Sequence, residues 1–121
     1  MSNDNEQTVN PAALARLREL GRPGEPDLLG ELIDLYLADA PKLMNDLRQA
    51  VWREDAAAAR KIAHTLKGSC GNLGTERLAR LCLSLETLAK TGSLNGAKQT
   101  LADMERESQA VNNALMAEKT K

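Results

Sequence analysis

Apolar residues along this chain recur at helical spacing, and no stretch alternates as a strand would. From Pro26 to about Arg53, the residues Leu28, Leu29, Leu32, Leu35, Tyr36, Leu43, Leu47, Ala50 and Val51 keep a rhythm of about 3.6 residues. Pro41 falls inside that stretch, so either two helices meet there or one long helix kinks near Ala40. "REDA" marks a break with Asp55 as N-cap, and the next helix is expected over Ala56 to Gly71. "GNLGT" separates it from a helix near Thr75 to Lys90, where Leu78, Leu81, Cys82, Leu85 and Leu88 form one stripe and Gly92 stands at the C-terminal cap. The last helix is expected from Ser93 or Leu94 to Met116. Its Ala97, Leu101, Met104, Ser108, Val111 and Leu115 alternate three- and four-residue steps, the seam of bundle packing. Ahead of these, "NPAALARLREL" reads as a short helix, with Asn10 as N-cap, Pro11 at the first helical position and Gly21 past the end. "GRPGEP" reads as a loop, and residues 1–9 as a disordered lead-in. Long helices joined by short loops predict an all-α fold. We expect an up-down antiparallel four-helix bundle with a short extra N-terminal helix, one domain over residues 10–118.

Composition agrees with helices and narrows the function. Of 121 residues, 42 % are hydrophobic but only 2 % aromatic, with one Trp, one Tyr and no Phe, so the core must be built from Leu, Ala, Ile, Val and Met. A formal net charge of −1 without a basic block argues against nucleic-acid binding through a broad positive field. Cys70 and Cys82 form no CxxC pair, and with one histidine they cannot complete an ordinary four-ligand zinc site. Both lie on apolar stripes and are expected to be separate core thiols at different heights, too far apart to bridge. The N-terminus is polar, and no apolar run approaches the roughly 20 residues that span a bilayer. The expectation is a soluble cytoplasmic monomer with reduced thiols and no resident metal or cofactor. Neither GxxxxGK[ST] nor GxGxxG is present, so direct use of ATP is not expected. The starting Met and the polar tail "MAEKTK" favour a free-standing protein over an excised piece of a larger one.

One stretch carries chemistry: "ARKIAHTLKGSCGNLG", with the only histidine, His64, and three glycines. A mid-helix glycine costs roughly 1 kcal/mol relative to alanine, so glycines here need a reason. On a helical wheel Leu66, Ile62 and Leu73 fall about 160–180° from His64, and Cys70, Ala59 and Ala63 lie on or beside that far face. Arg60, Lys61, Lys67, Gly68 and Gly71 lie within roughly 60° of it. The histidine therefore faces solvent in a basic, glycine-bearing strip. The wheel alone leaves an incidental surface histidine open. The glycines favour function, because without side chains at 68 and 71 the imidazole stands over bare backbone that a bulky group can approach. Lys67, at i+3, can reach an anion attached to the ring. An exposed nucleophile, a cation one turn on and cleared space describe a place where an anionic group, foremost phosphoryl, is carried on His64.

"AHTLKGSCGNLG" closely resembles the signature of the histidine-containing phosphotransfer (HPt) domain family. "LADAPKLMNDLRQAVWRED" and "LARLCLSLETLAKTG" are similar to the family's helices on either side, so the resemblance covers most of residues 26–116. It implies a phosphorelay intermediate. His64 would take a phosphoryl group on Nε2 from a receiver-domain aspartate and pass it to another receiver aspartate. The receivers, of hybrid sensor kinases and response regulators, would supply Mg²⁺ and most of the chemistry. By the same resemblance, Lys67 steadies phosphoryl charge and Gly68 gives the phosphoryl group and the receiver room. Glu86 falls where some members carry a Gln touching the active histidine; a carboxylate there would repel phosphohistidine, so a solvated Glu86 at the partner-binding rim is expected. Arg60, Lys61 and Gly71 are further rim candidates. The alternatives are a phosphoacceptor domain cut from a hybrid or chemotaxis-type kinase, and a decoy that binds receivers without taking phosphate.

Overall fold

Asn10 starts the first helix by capping it. Its Oδ1 accepts from the Ala12 amide at 2.9 Å, and Pro11 follows where a missing N–H is no loss, giving α1 (Pro11–Leu20). The computed structural model describes residues 8–21 and 27–119. Most of the expected "GRPGEP" loop, residues 22–26, and residues 1–7 of the expected lead-in lie outside the described residues. Residues 8 and 9 depart from the lead-in reading: Val9 packs against the core, and Arg77 donates to Thr8 Oγ1 at 2.9 Å.

The second helix, α2 (Leu28–Trp52), runs through Pro41 as a single helix. Pro41 lies on its exposed side, where water can serve the carbonyl that a proline N–H cannot. Asp55 caps α3 (Ala56–Asn72) by accepting from the Ala58 amide at 3.1 Å. After a tight turn comes α4 (Glu76–Lys90), and after a longer one α5 (Ala97–Lys119). That last helix begins later than expected because Gly92 and Gly96 both take the left-handed conformation, φ 82° each, and Ser93–Gly96 is spent on the turn. Neighbours in sequence pack side by side, α2 on α3, α3 on α4 and α4 on α5, and α5 returns to α2. The result is the expected antiparallel four-helix ring, with α1 lying against α2.

Each helix buries one stripe. In α5 it is the expected set, Ala97, Leu101, Met104, Ser108, Val111 and Leu115. In α2 the stripe is Leu29, Ile33, Tyr36, Ala40, Met44, Leu47, Ala50 and Val51, while Leu35 is exposed and Leu28, Leu32 and Leu43 are half-buried. The expected stripe takes in these edge leucines and omits the buried Ile33, Ala40 and Met44.

Of two observations on the α3–α4 pair, one corrects an expectation and the other accounts for the turn. The first concerns the thiols. Cys70 and Cys82 are free and fully buried, but they are not at different heights: their thiols are close enough to interact, with Thr75 and Tyr36 beside Cys70. Cys70 follows His64 by six residues and Cys82 precedes Glu86 by four, so in an antiparallel pair they meet one level below that site. The interaction with Cys70, and then burial, pushes the Cys82 thiol up; burial, and then Cys70, does the same to the Tyr36 phenol. The second concerns the turn. Gly74 has φ 68°, and a Cβ there would stand 2.8 Å from Ala13 Cβ and 2.9 Å from Asn10 Cβ. The glycine lets α1 close on the turn, where the Asn10 amide donates to the Gly74 carbonyl at 2.9 Å and Asn10 Nδ2 to Glu76 Oε1 at 2.8 Å.

Candidate functional site

The buried stripe of α3, Ala59, Ala63, Leu66 and Cys70, turns the opposite side of that helix to solvent. His64 stands there with its side chain 67 % exposed. Gly68 and Gly71 are exposed on the same side, and a Cβ at either would meet nothing within 4 Å. Arg60 and Lys61 are exposed as well and line an open groove with Asp55, His64 and Glu86. The strip drawn on the helical wheel is thus exposed around the ring, open at Gly68 and Gly71 and cationic at Arg60 and Lys61.

Glu86 is where the structure departs from the sequence reading. Its residue is only 7 % exposed, and it is not a solvated rim group. Its Oε2 lies 2.9 Å from His64 Nδ1, and its Oε1 accepts from Lys67 Nζ at 2.9 Å. One carboxylate from α4 therefore bridges two side chains of α3 one turn apart. The hydrogen bond from Lys67 holds the Glu86 carboxyl below the usual carboxylate range; burial opposes this, and the bond with His64 adds to it. A sequence signal existed. Glu86 lies four residues after the buried Cys82 and three before the buried Ala89, on the edge of the stripe itself. Its charged type hid its position.

The bridge fixes the chemistry of the ring. An ionised carboxylate only accepts, so the nitrogen facing it, Nδ1, carries the proton. The lone pair of the neutral ring is then on Nε2, the nitrogen turned away from Glu86. Lys67, half-buried one turn on, holds its positive charge on the Glu86 side of the ring, with Nζ on Glu86 Oε1 at 2.9 Å. The arrangement presents a nucleophile of defined tautomer to whatever covers the Gly68 and Gly71 surface.

An antiparallel four-helix bundle with one exposed histidine, backed by a carboxylate and a lysine, defines a histidine-bearing helical domain. The sequence matches the Hpt domain over residues 31–115, and the chain belongs to that family. It is similar to histidine-containing phosphotransfer protein 5 of Arabidopsis thaliana, 27 % identical over 96 residues, which make up 77 % of this chain and 61 % of that protein. It is also similar to the signal transduction histidine-protein kinase BarA of Escherichia coli K12, 29 % identical over 91 residues that are 74 % of this chain but 10 % of the kinase. The chain thus spans less than two thirds of these curated relatives. Among solved structures, histidine-containing phosphotransfer protein B (HptB) of Pseudomonas aeruginosa PAO1 superposes with a TM-score of 0.85 at 31 % identity, covering 93 % of this chain and 95 % of that one. Among the described residues no helix is long and apolar enough to cross a membrane.

Proposed function

We propose that this chain is a histidine phosphotransfer protein of a two-component phosphorelay, with His64 as the phosphoacceptor. The observation that carries the reading is the exposed His64 ring with Nδ1 engaged by Glu86 and Nε2 free over glycine-bare backbone. The donor is a receiver-domain aspartyl phosphate. The Nε2 lone pair attacks phosphorus, the aspartyl O–P bond breaks, and its electron pair stays on the aspartate. Transfer onward reverses these steps on a second receiver. Lys67 offsets the phosphoryl charge, and Gly68 leaves room for the receiver's active-site loop; Arg60, Lys61 and Gly71 form the rim around it. Mg²⁺ belongs to the receiver in this scheme, and the chain works as an intermediate without hydrolysing ATP, as a monomer in the cytoplasm. The similarity to a tenth of BarA supports a second reading, the same chemistry performed as one domain of a larger kinase.

Incubation with a phosphorylated receiver should label the wild type with an acid-labile phosphoramidate, and His64→Gln should take no label while keeping its helical circular dichroism. Labelling of that variant would overturn the assignment. A wild type that binds the receiver but takes no label would identify a decoy.

A further inference from the structure

We propose that Glu86 keeps the phosphorylated His64 ring protonated at Nδ1, so that the phosphoryl group is carried in a readily transferable form and not stored. This rests on the phosphotransfer reading above and adds to it a role for the carboxylate that this chain has beneath the ring. Glu86 acts through His64 and is a positioning residue.

The geometry leaves the carboxylate little freedom. It is buried, with Oε2 on His64 Nδ1 and Oε1 held by Lys67 Nζ, each at 2.9 Å. When the phosphoryl group arrives, the Nε2–P bond forms and the aspartyl O–P bond breaks. The proton on Nδ1 has not moved, so the ring becomes a cation bearing a phosphoryl dianion. The ease of the next transfer depends on that proton. If it is lost, the transfer must expel an imidazolate anion, a poor leaving group. If it stays, the P–N electron pair returns to Nε2 and neutral imidazole leaves.

Two acceptors compete for the proton. Glu86 is a weak one, because the hydrogen bond from Lys67 already holds its carboxyl below the usual range. Loss to water is opposed by a negative charge at hydrogen-bond distance. The other charged or titratable groups about the ring are Lys67, Arg60 and Lys61 on α3, Asp55 at its N-cap, and the buried Cys82 thiol on α4. Lys67 is paired with Glu86, and Arg60 and Lys61 are exposed and solvent-screened, so the nearest charge to Nδ1 decides. The same carboxylate also repels the phosphoryl dianion across the ring. Both effects shorten the life of phosphohistidine.

The test compares wild type with Glu86→Gln, which can still accept from Nδ1 but carries no charge. Both are phosphorylated with potassium phosphoramidate, and loss of the phosphoryl group to water is followed by phosphorus NMR from about pH 6 to about pH 9, the range that spans histidine protonation. Water takes the phosphoryl group as inorganic phosphate, and the bond pair returns to Nε2. The phosphorylated Gln variant should begin to gain lifetime at least about one pH unit lower than wild type, and at about pH 8 it should outlive it by about tenfold. Equal lifetimes and equal pH profiles would overturn the proposal and leave the phosphotransfer reading standing. A wild type that takes no label on His64 overturns both. Should the variant fail to fold by circular dichroism, long-range nitrogen–proton spectra of phosphorylated wild type decide: a bare Nδ1 at about pH 7.5 refutes the proposal, and a protonated one supports it.

Discussion

Gly68 and Gly74 sit near the two ends of one short motif and should respond to alanine in opposite directions. Gly68 is helical and its Cβ would meet nothing, so Gly68→Ala should raise stability by up to about 1 kcal/mol. Gly74 has a left-handed backbone and its Cβ would press on α1, so Gly74→Ala should lose more than about 1 kcal/mol. Urea denaturation midpoints measure both. Gly68→Gln should keep or raise the midpoint yet cut phosphotransfer strongly, because its side chain fills the receiver's approach to His64; transfer at the wild-type rate would sink the access argument. Glu86 adds a pH dependence. Its folded value lies below the ordinary 4.5, so its contribution is full above that value and is lost as pH falls through the lower folded one. The thermal midpoint of wild type minus that of Glu86→Gln should therefore shrink as pH falls below the ordinary carboxylate value. At this scale His64 was legible, because the apolar stripe of α3 fixes which side it is on. Glu86 was not, because its burial depends on two polar partners, both contributed across a helix pair.

Among the elements, α5 was the most legible, since an unbroken three-and-four seam with no proline or internal glycine leaves one way to pack. The boundary before it was not, because the left-handed state of Gly96 belongs to the turn joining α4 to α5. Pro41 allowed two readings from local sequence. Packing of Ala40 and Met44 on either side selected the continuous helix, with the proline facing solvent. An interior proline costs a helix roughly 3 kcal/mol relative to alanine. Pro41→Ala should therefore stabilise the protein by about 1–3 kcal/mol, read from the same denaturation midpoints. A loss of stability would mean that the proline ring is required by the bundle.

For the molecule as a whole, the antiparallel ring sets what lies under the site. It brings Glu86 to His64 on the surface and Cys82 to Cys70 in the core, at successive levels of the α3–α4 pair. Helix stripes in the sequence placed both cysteines in the core, but relative height depends on the length of the α3–α4 turn, and so their contact was missed. Both thiols are fully buried and should resist alkylation in the native state and react together on unfolding; labelling of either under native conditions would contradict that packing. The same ring supplies stability on one side of α3 and leaves the other free for chemistry on Nε2. Because the chain has a single histidine, one nitrogen-labelled ring reports that chemistry without ambiguity. After transfer from a phosphorylated receiver, phosphorus–nitrogen correlation spectra should show phosphorus bonded to Nε2 of His64. Phosphorus on Nδ1, or phosphate recovered on any other residue, would contradict the account.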